Sequence, residues 1–195
     1  MKEYDDLITQ IDFWNNEIPK VQKNVPTILE HAFLKIFVSF EVFNSQMFIK
    51  YCLEHPSLAC VLPLTLKFGD EKHLKDSILS LTHKSYIDYQ DIIDNFSRHI
   101  FAPHMNPFEL AFSSTDYQTY YTQMKYLRNH IAHNSEESKR KYVSSVLGPK
   151  LDPNTTPSEY LNLTNRKKNN QSNYTILISK IKDMASIVSN PMGLL

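Results

Sequence analysis

Apolar residues recur along this chain at helical spacing. Leu29, Phe33, Ile36, Phe40, Phe43 and Met47 follow one another at steps of 4, 3, 4, 3 and 4, the period of one helix face. The pattern predicts the strongest helix, over about residues 27–54. A second set, Leu34, Val38, Val42 and Ile49, covers much of its remaining surface. A helix apolar on most sides belongs at the centre of a bundle or at a dimer interface. Shorter stripes predict helices over 3–18 (Leu7, Ile11, Trp14, Ile18), 71–81 and 85–101 (Tyr86, Tyr89, Ile92, Ile93, Phe96, Ile100). Two more follow over 115–133 (Tyr117, Tyr120, Met124, Leu127, Ile131) and 174–189 (Leu177, Ile181, Met184, Val188).

Between these stripes lie breakers. Pro19 and Pro26 mark a connector, and Pro56, Pro63 and Gly69 a loop with a short element over 55–70. Pro103 and Pro107 separate two helices, and the charged run Glu136-Glu137-Ser138-Lys139-Arg140-Lys141 follows the fifth stripe. Residues 148–172, with Pro149, Pro153, Pro157 and the basic stretch Arg166-Lys167-Lys168-Asn169-Asn170, read as a polar loop. No repeat of 20–50 residues is present. The expectation is one domain over 1–195, an irregular all-α bundle of five to seven helices.

Composition agrees: 3 glycines against 42% hydrophobic residues disfavour a turn-rich β fold. The formal net charge is zero, so any nucleic-acid contact must be a local patch. Cys52 and Cys60 make no disulfide framework and suit a reducing compartment. The polar, acidic start (Met1-Lys2-Glu3-Tyr4-Asp5-Asp6) does not resemble a signal peptide. Sequons such as Asn162-Leu163-Thr164 are then incidental. No uninterrupted apolar run approaches the roughly 20 residues of a membrane span. The expected setting is cytoplasmic, with no membrane partner.

The compact reactive cluster is Arg128-Asn129-His130-Ile131-Ala132-His133. An always-charged guanidinium forks onto phosphate oxygens, and imidazole exchanges a proton near neutral pH. Asn129 and His133 are four apart, so they stack on one side of the helix, away from the centre of the apolar stripe. Arg128 lies on one flank of that stripe and His130 on the other. A second Arg/His match, Arg98 and His104, straddles Pro103 and so a helix end. Each site residue also has a plain structural explanation. Arg128 could form an ordinary ion pair, His133 could favour a helix C-terminus through its dipole, and Asn129 could be solvated. His130 suits a surface or packing role.

Other chemistries find little support. Gly69, Gly148 and Gly193 make no phosphate loop, and H-E-x-x-H, Cys-x-x-Cys and G-x-S-x-G patterns are missing. No cofactor or metal is expected.

Leu127-Arg128-Asn129-His130-Ile131-Ala132-His133 resembles the R-N-x-x-x-H signature of the HEPN superfamily. Ala32-Phe33-Leu34-Lys35-Ile36-Phe37-Val38-Ser39-Phe40-Glu41 is similar to the apolar run ending in an interior Glu of its ribonuclease-like RiboL-PSP branch. The resemblance covers roughly residues 5–145. It implies a helical bundle that pairs, bringing two motifs across a symmetric groove, and a metal-independent endoribonuclease of toxin–antitoxin or antiviral-defence type. It places Arg128 and His133 in the catalytic positions and Asn129 in the polar position after the Arg. Glu41 and His130 are supporting candidates. Glu41 interrupts an apolar helix, where it either partners Arg128 or faces solvent. Ser135 stands where one antitoxin-modified subgroup has Tyr, which argues against that subgroup's switch.

In the implied mechanism His133 acts as base on the ribose 2′-OH or as acid on the 5′-oxygen, and Arg128 neutralises the phosphorane. Implied partners are an RNA substrate, a second copy of the chain, and an antitoxin or defence-system protein. The alternative is a non-catalytic HEPN-like module that dimerises or binds nucleotide or RNA within a larger defence complex; a third is an unrelated helical protein. The aromatic residues Phe33, Phe37, Phe40 and Phe43 are core, and Arg166-Lys167-Lys168 either holds RNA backbone or is solvated.

Overall fold

The computed structural model describes residues 1–20, 25–58, 60–82, 87–112, 114–165 and 168–191. The architecture is mostly helical: α1 (Lys2–Glu17), α2 (Val25–Cys52), α3 (Glu71–Leu79), α4 (Asp94–Ile100), α5 (Pro107–Phe112), α6 (Thr115–His133), α7 (Glu136–Tyr142), α8 (Pro157–Asn162) and α9 (Asn173–Ser189). Nine α-helices among the described residues exceed the five to seven expected, because three short ones sit where breakers and charges dominate. Each begins on a side-chain cap. Asn106 Oδ1 accepts from Phe108 N (3.1 Å) at α5, Ser135 caps α7, and Thr156 caps α8 with Pro157 in the first turn. The expected loop over 148–172 thus contains α8, and it contains a two-residue antiparallel hairpin, Thr164–Asn165 with Gln171–Ser172. Arg166 and Lys167 lie outside the described residues, and Lys168 is exposed. Tyr86, from the expected helix over 85–101, also lies outside them; the described part is a π-turn (Tyr89–Ile93) running into α4.

The chain divides into two compact units. The first comprises 1–7, 40–114 and 183–195, and the second 8–39 and 115–182. The first is filled by an aromatic cluster: Phe48 meets Phe101 and Phe108 edge-on, and Tyr89 stacks on Phe112 with ring centres 3.8 Å apart. Tyr51 donates its hydroxyl to the Val188 carbonyl (2.8 Å). In the second, Phe37 meets Phe33 and Tyr121 of α6, and Met124 and Leu127 of α6 and Leu177 and Ile181 of α9 are buried too. Of the expected α6 stripe, Met124 and Leu127 are buried, whereas Tyr117, Tyr120 and Ile131 are half-buried; Tyr121 supplies the core ring instead.

Along α2 the first stripe is the core: Phe33, Ile36, Phe40 and Met47 have no exposed surface. The second stripe is not, for Val38 is 38% and Val42 49% exposed. By length and composition alone, Thr27–Cys52 is apolar enough to cross a membrane, with mean hydropathy 1.3 and half of the tested stretch buried. Lys35 and Glu41 interrupt this stretch, so it holds no uninterrupted apolar run of that length. A core helix meets the same criterion, and the burial of its first stripe gives α2 that role.

Candidate functional site

The motif occupies the last turns of α6 and is fixed by how that helix stops. Asn134 adopts a left-handed backbone (φ 44°), a conformation Asn tolerates better than most residues. Its N–H bonds to the His130 carbonyl (2.9 Å), closing the helix end. Ser135 then starts α7: its Oγ accepts from Ser138 N (3.2 Å), and Ser138 Oγ accepts from Ser135 N (3.0 Å). This reciprocal cap satisfies two otherwise orphaned N–H groups. A single residue therefore separates α6 from the cap of α7, and the charged run read as a segment after the motif is a helix packed beside it.

That turn borders an open cavity of about 220 Å³. Tyr126, Asn129 and His133 line it from α6, and Glu137, Ser138 and Lys141 from α7. Asn129 is half-buried and His133 exposed. Lys141 Nζ pairs with Glu137 Oε1 (2.7 Å) one turn back on α7. The bond and the charge together raise the ammonium pKa and lower that of the carboxylate, so both are ionised near neutral pH.

Arg128 is half-buried and not part of this lining; its Nη1 donates to Asn129 Oδ1 (2.8 Å). The guanidinium therefore reaches the cavity through the amide, fixing which end of Asn129 is its acceptor. His130 packs instead. Its ring stacks on Tyr142 (4.9 Å between centres), and Nδ1 lies 3.4 Å from Ser138 Oγ. Burial, helped by the nearby Lys139 charge, pushes its pKa below the usual imidazole value. Glu41 is half-buried on α2 and belongs to the first unit.

Sequence spacing thus foresaw Asn129 and His133 in one place. It missed Tyr126 and Lys141. Tyr126 carried a signal, three residues before Asn129 on the same helix side. Lys141 depends on the turn at Asn134, which no periodicity encodes. The cavity thus gathers an imidazole, an amide, a phenol and the Lys141–Glu137 ion pair. Among the described residues no three His, Cys, Asp or Glu side chains gather as a metal site. No family model matches this chain, and comparison with curated proteins and with solved structures returns no match.

Proposed function

We propose that the protein is a HEPN-like, metal-independent endoribonuclease that cleaves RNA by attack of a ribose 2′-OH on the adjacent phosphate. One observation carries it: Asn129 and His133 of the R-N-x-x-x-H segment line one cavity, together with Lys141, which is paired with Glu137. In this mechanism the phosphate sits between Lys141 and the Asn129 amide. His133 takes the 2′-OH proton, the 2′-oxygen bonds to phosphorus, and the bond to the 5′-oxygen breaks. That oxygen takes a proton from a second acid, supplied in a pair by the partner copy's motif. Arg128 orients Asn129 and adds positive charge to the phosphorane side. The biological setting that goes with this chemistry is a toxin or antiviral-defence effector in the cytoplasm, controlled by an antitoxin or partner protein.

A second reading is a non-catalytic module that grips RNA or nucleotide. What favours it is that Arg128 donates to its neighbour Asn129 and stands outside the cavity lining. Incubation of labelled single-stranded RNA with the protein in EDTA separates the two. Cleavage lost in both His133→Ala and Arg128→Ala supports the nuclease. RNA binding without cleavage supports the module, and cleavage that survives in both variants rejects the site.

A further inference from the structure

A larger cavity, of about 540 Å³, opens beside the N-terminal half of α6, within the second unit. Its volume falls in the range of small-molecule sites, roughly 300–1,000 Å³, which the motif cavity does not reach. Tyr120 and Tyr160 contribute aromatic surface, and Ile176 and Leu177 apolar wall. Gln123 and Asn173 contribute amides. Asn173 Nδ2 is held by the Tyr160 carbonyl (2.9 Å), so its Oδ1 is the atom left to accept from a ligand. Asp116, the one carboxylate that the described residues bring to the cavity, pairs with Lys180 (3.5 Å), whose ammonium also lies over the Tyr117 and Tyr120 rings at 4.8 and 5.6 Å. Lys150, at the same cavity, is exposed.

The two cavities share a ridge. Asp116, Thr119, Gln123, Tyr126, Asn129 and His133 succeed one another at steps of 3, 4, 3, 3 and 4, a continuous polar stripe along α6. The first three line the larger cavity and the last three the motif cavity. Gln123 and Asn129 are six residues apart, about 9 Å along the axis. That exceeds the rise of about 3.4 Å between stacked nucleotides of one strand. A strand following the ridge therefore spans more than one nucleotide between the two sites, and aromatic faces and amide groups are what recognise unstacked bases in single-stranded RNA.

We propose that the larger cavity is a nucleobase subsite, taking a splayed base of a single-stranded RNA whose phosphate lies at Asn129, His133 and Lys141. The base lies against Tyr120 or Tyr160, Gln123 and Asn173 meet its hydrogen-bonding edge, and Lys150 attracts the backbone. The assignment of that strand as a substrate rests on the ribonuclease reading.

The full-length protein titrated with adenosine, guanosine, cytidine and uridine, followed by tyrosine fluorescence and NMR, tests it without any need for cleavage. At least one nucleoside binds wild type and His133→Ala alike, and Gln123→Leu weakens it by about tenfold. Gln123→Asn, which keeps the amide, retains part of the affinity and guards against a folding artefact. No binding of any nucleoside at millimolar concentration, or equal binding by Gln123→Leu, overturns the subsite. RNA cleavage with no nucleoside binding rejects the subsite and leaves the nuclease standing. Nucleoside binding with no cleavage does the reverse.

Discussion

Arg128 and Asn129 are chain neighbours on a helix, yet the guanidinium of one donates to the side-chain oxygen of the other over 2.8 Å. Neighbouring helical side chains point about 100° apart, so the bond holds only if the long Arg side chain sweeps round toward the polar side. The result couples a half-buried cation to an amide that lines the motif cavity. Asn129 is thereby a positioned group, and the two residues act as one unit.

That coupling predicts non-additive variants. Asn129→Ala and Arg128→Ala should each lower RNA affinity, and the double variant should be little worse than the poorer single one. Arg128→Lys should fall between, since an ammonium lacks the planar fork. Asn129→Asp should keep the link to Arg128 but set a carboxylate in the cavity and weaken RNA binding further than Ala. Filter binding at fixed salt measures all five. Additive losses contradict the coupling.

Glu30 of α2 accepts Ser158 N (2.9 Å) at the start of α8. Burial raises its pKa, with the Ser158 bond opposing. Glu30→Gln keeps an acceptor and should be near neutral at pH 7, whereas Glu30→Ala should cost about 1 kcal/mol, as lost caps do. A raised carboxyl binds its proton at higher pH in the folded state. The group's contribution is then fullest below its unfolded pKa and is lost as pH rises through the folded one. Urea denaturation at two pH values checks both statements. Equal stability of the Ala and Gln variants at pH 7 contradicts the capping role.

Asn44 has no exposed surface, and among the described residues neither its Oδ1 nor its Nδ2 finds a hydrogen-bond partner. An unsatisfied buried amide costs about 1–3 kcal/mol. Asn44→Leu, apolar and of similar shape, should therefore raise stability by about 1–2 kcal/mol. A drop in the urea midpoint contradicts this.

How much of this was legible in the sequence depends on the length of each signal. The long helices α2, α6 and α9 repeat apolar residues over many turns, and their ends fall within about two residues of the expected ones. The short helices α7 and α8 have too few turns for a period to register. Their signal is the cap, Ser135-Glu136-Glu137-Ser138 and Thr156-Pro157-Ser158-Glu159, and charges and prolines masked it. The hairpin has two residues per strand, too few to alternate. At the site, i,i+4 spacing was enough to bring Asn129 and His133 together, because both sit on one rigid helix. Lys141 joins them only through the reversal at Asn134.

His130 gives a pH signature. An unfolded imidazole takes its proton near 6.5, whereas the folded one, depressed by burial and Lys139, takes it at lower pH. Below 6.5 the unfolded state therefore binds more protons, and stability falls with acidification until the folded group also titrates. His130→Gln should flatten that part of the profile relative to wild type. An unchanged slope means His130 is not the group responsible.

The ends of the products report directly on the proposed attack of a 2′-OH on a phosphate at Asn129 and His133. Mass spectrometry of RNA fragments produced in EDTA should find a 2′,3′-cyclic phosphate on one side of the cut and a 5′-hydroxyl on the other. An RNA with a single 2′-deoxy residue 5′ to the cut should stay intact there, as should all RNA given to His133→Ala. Fragments ending in a 3′-hydroxyl and a 5′-phosphate, or cleavage at the deoxy position, would contradict the account.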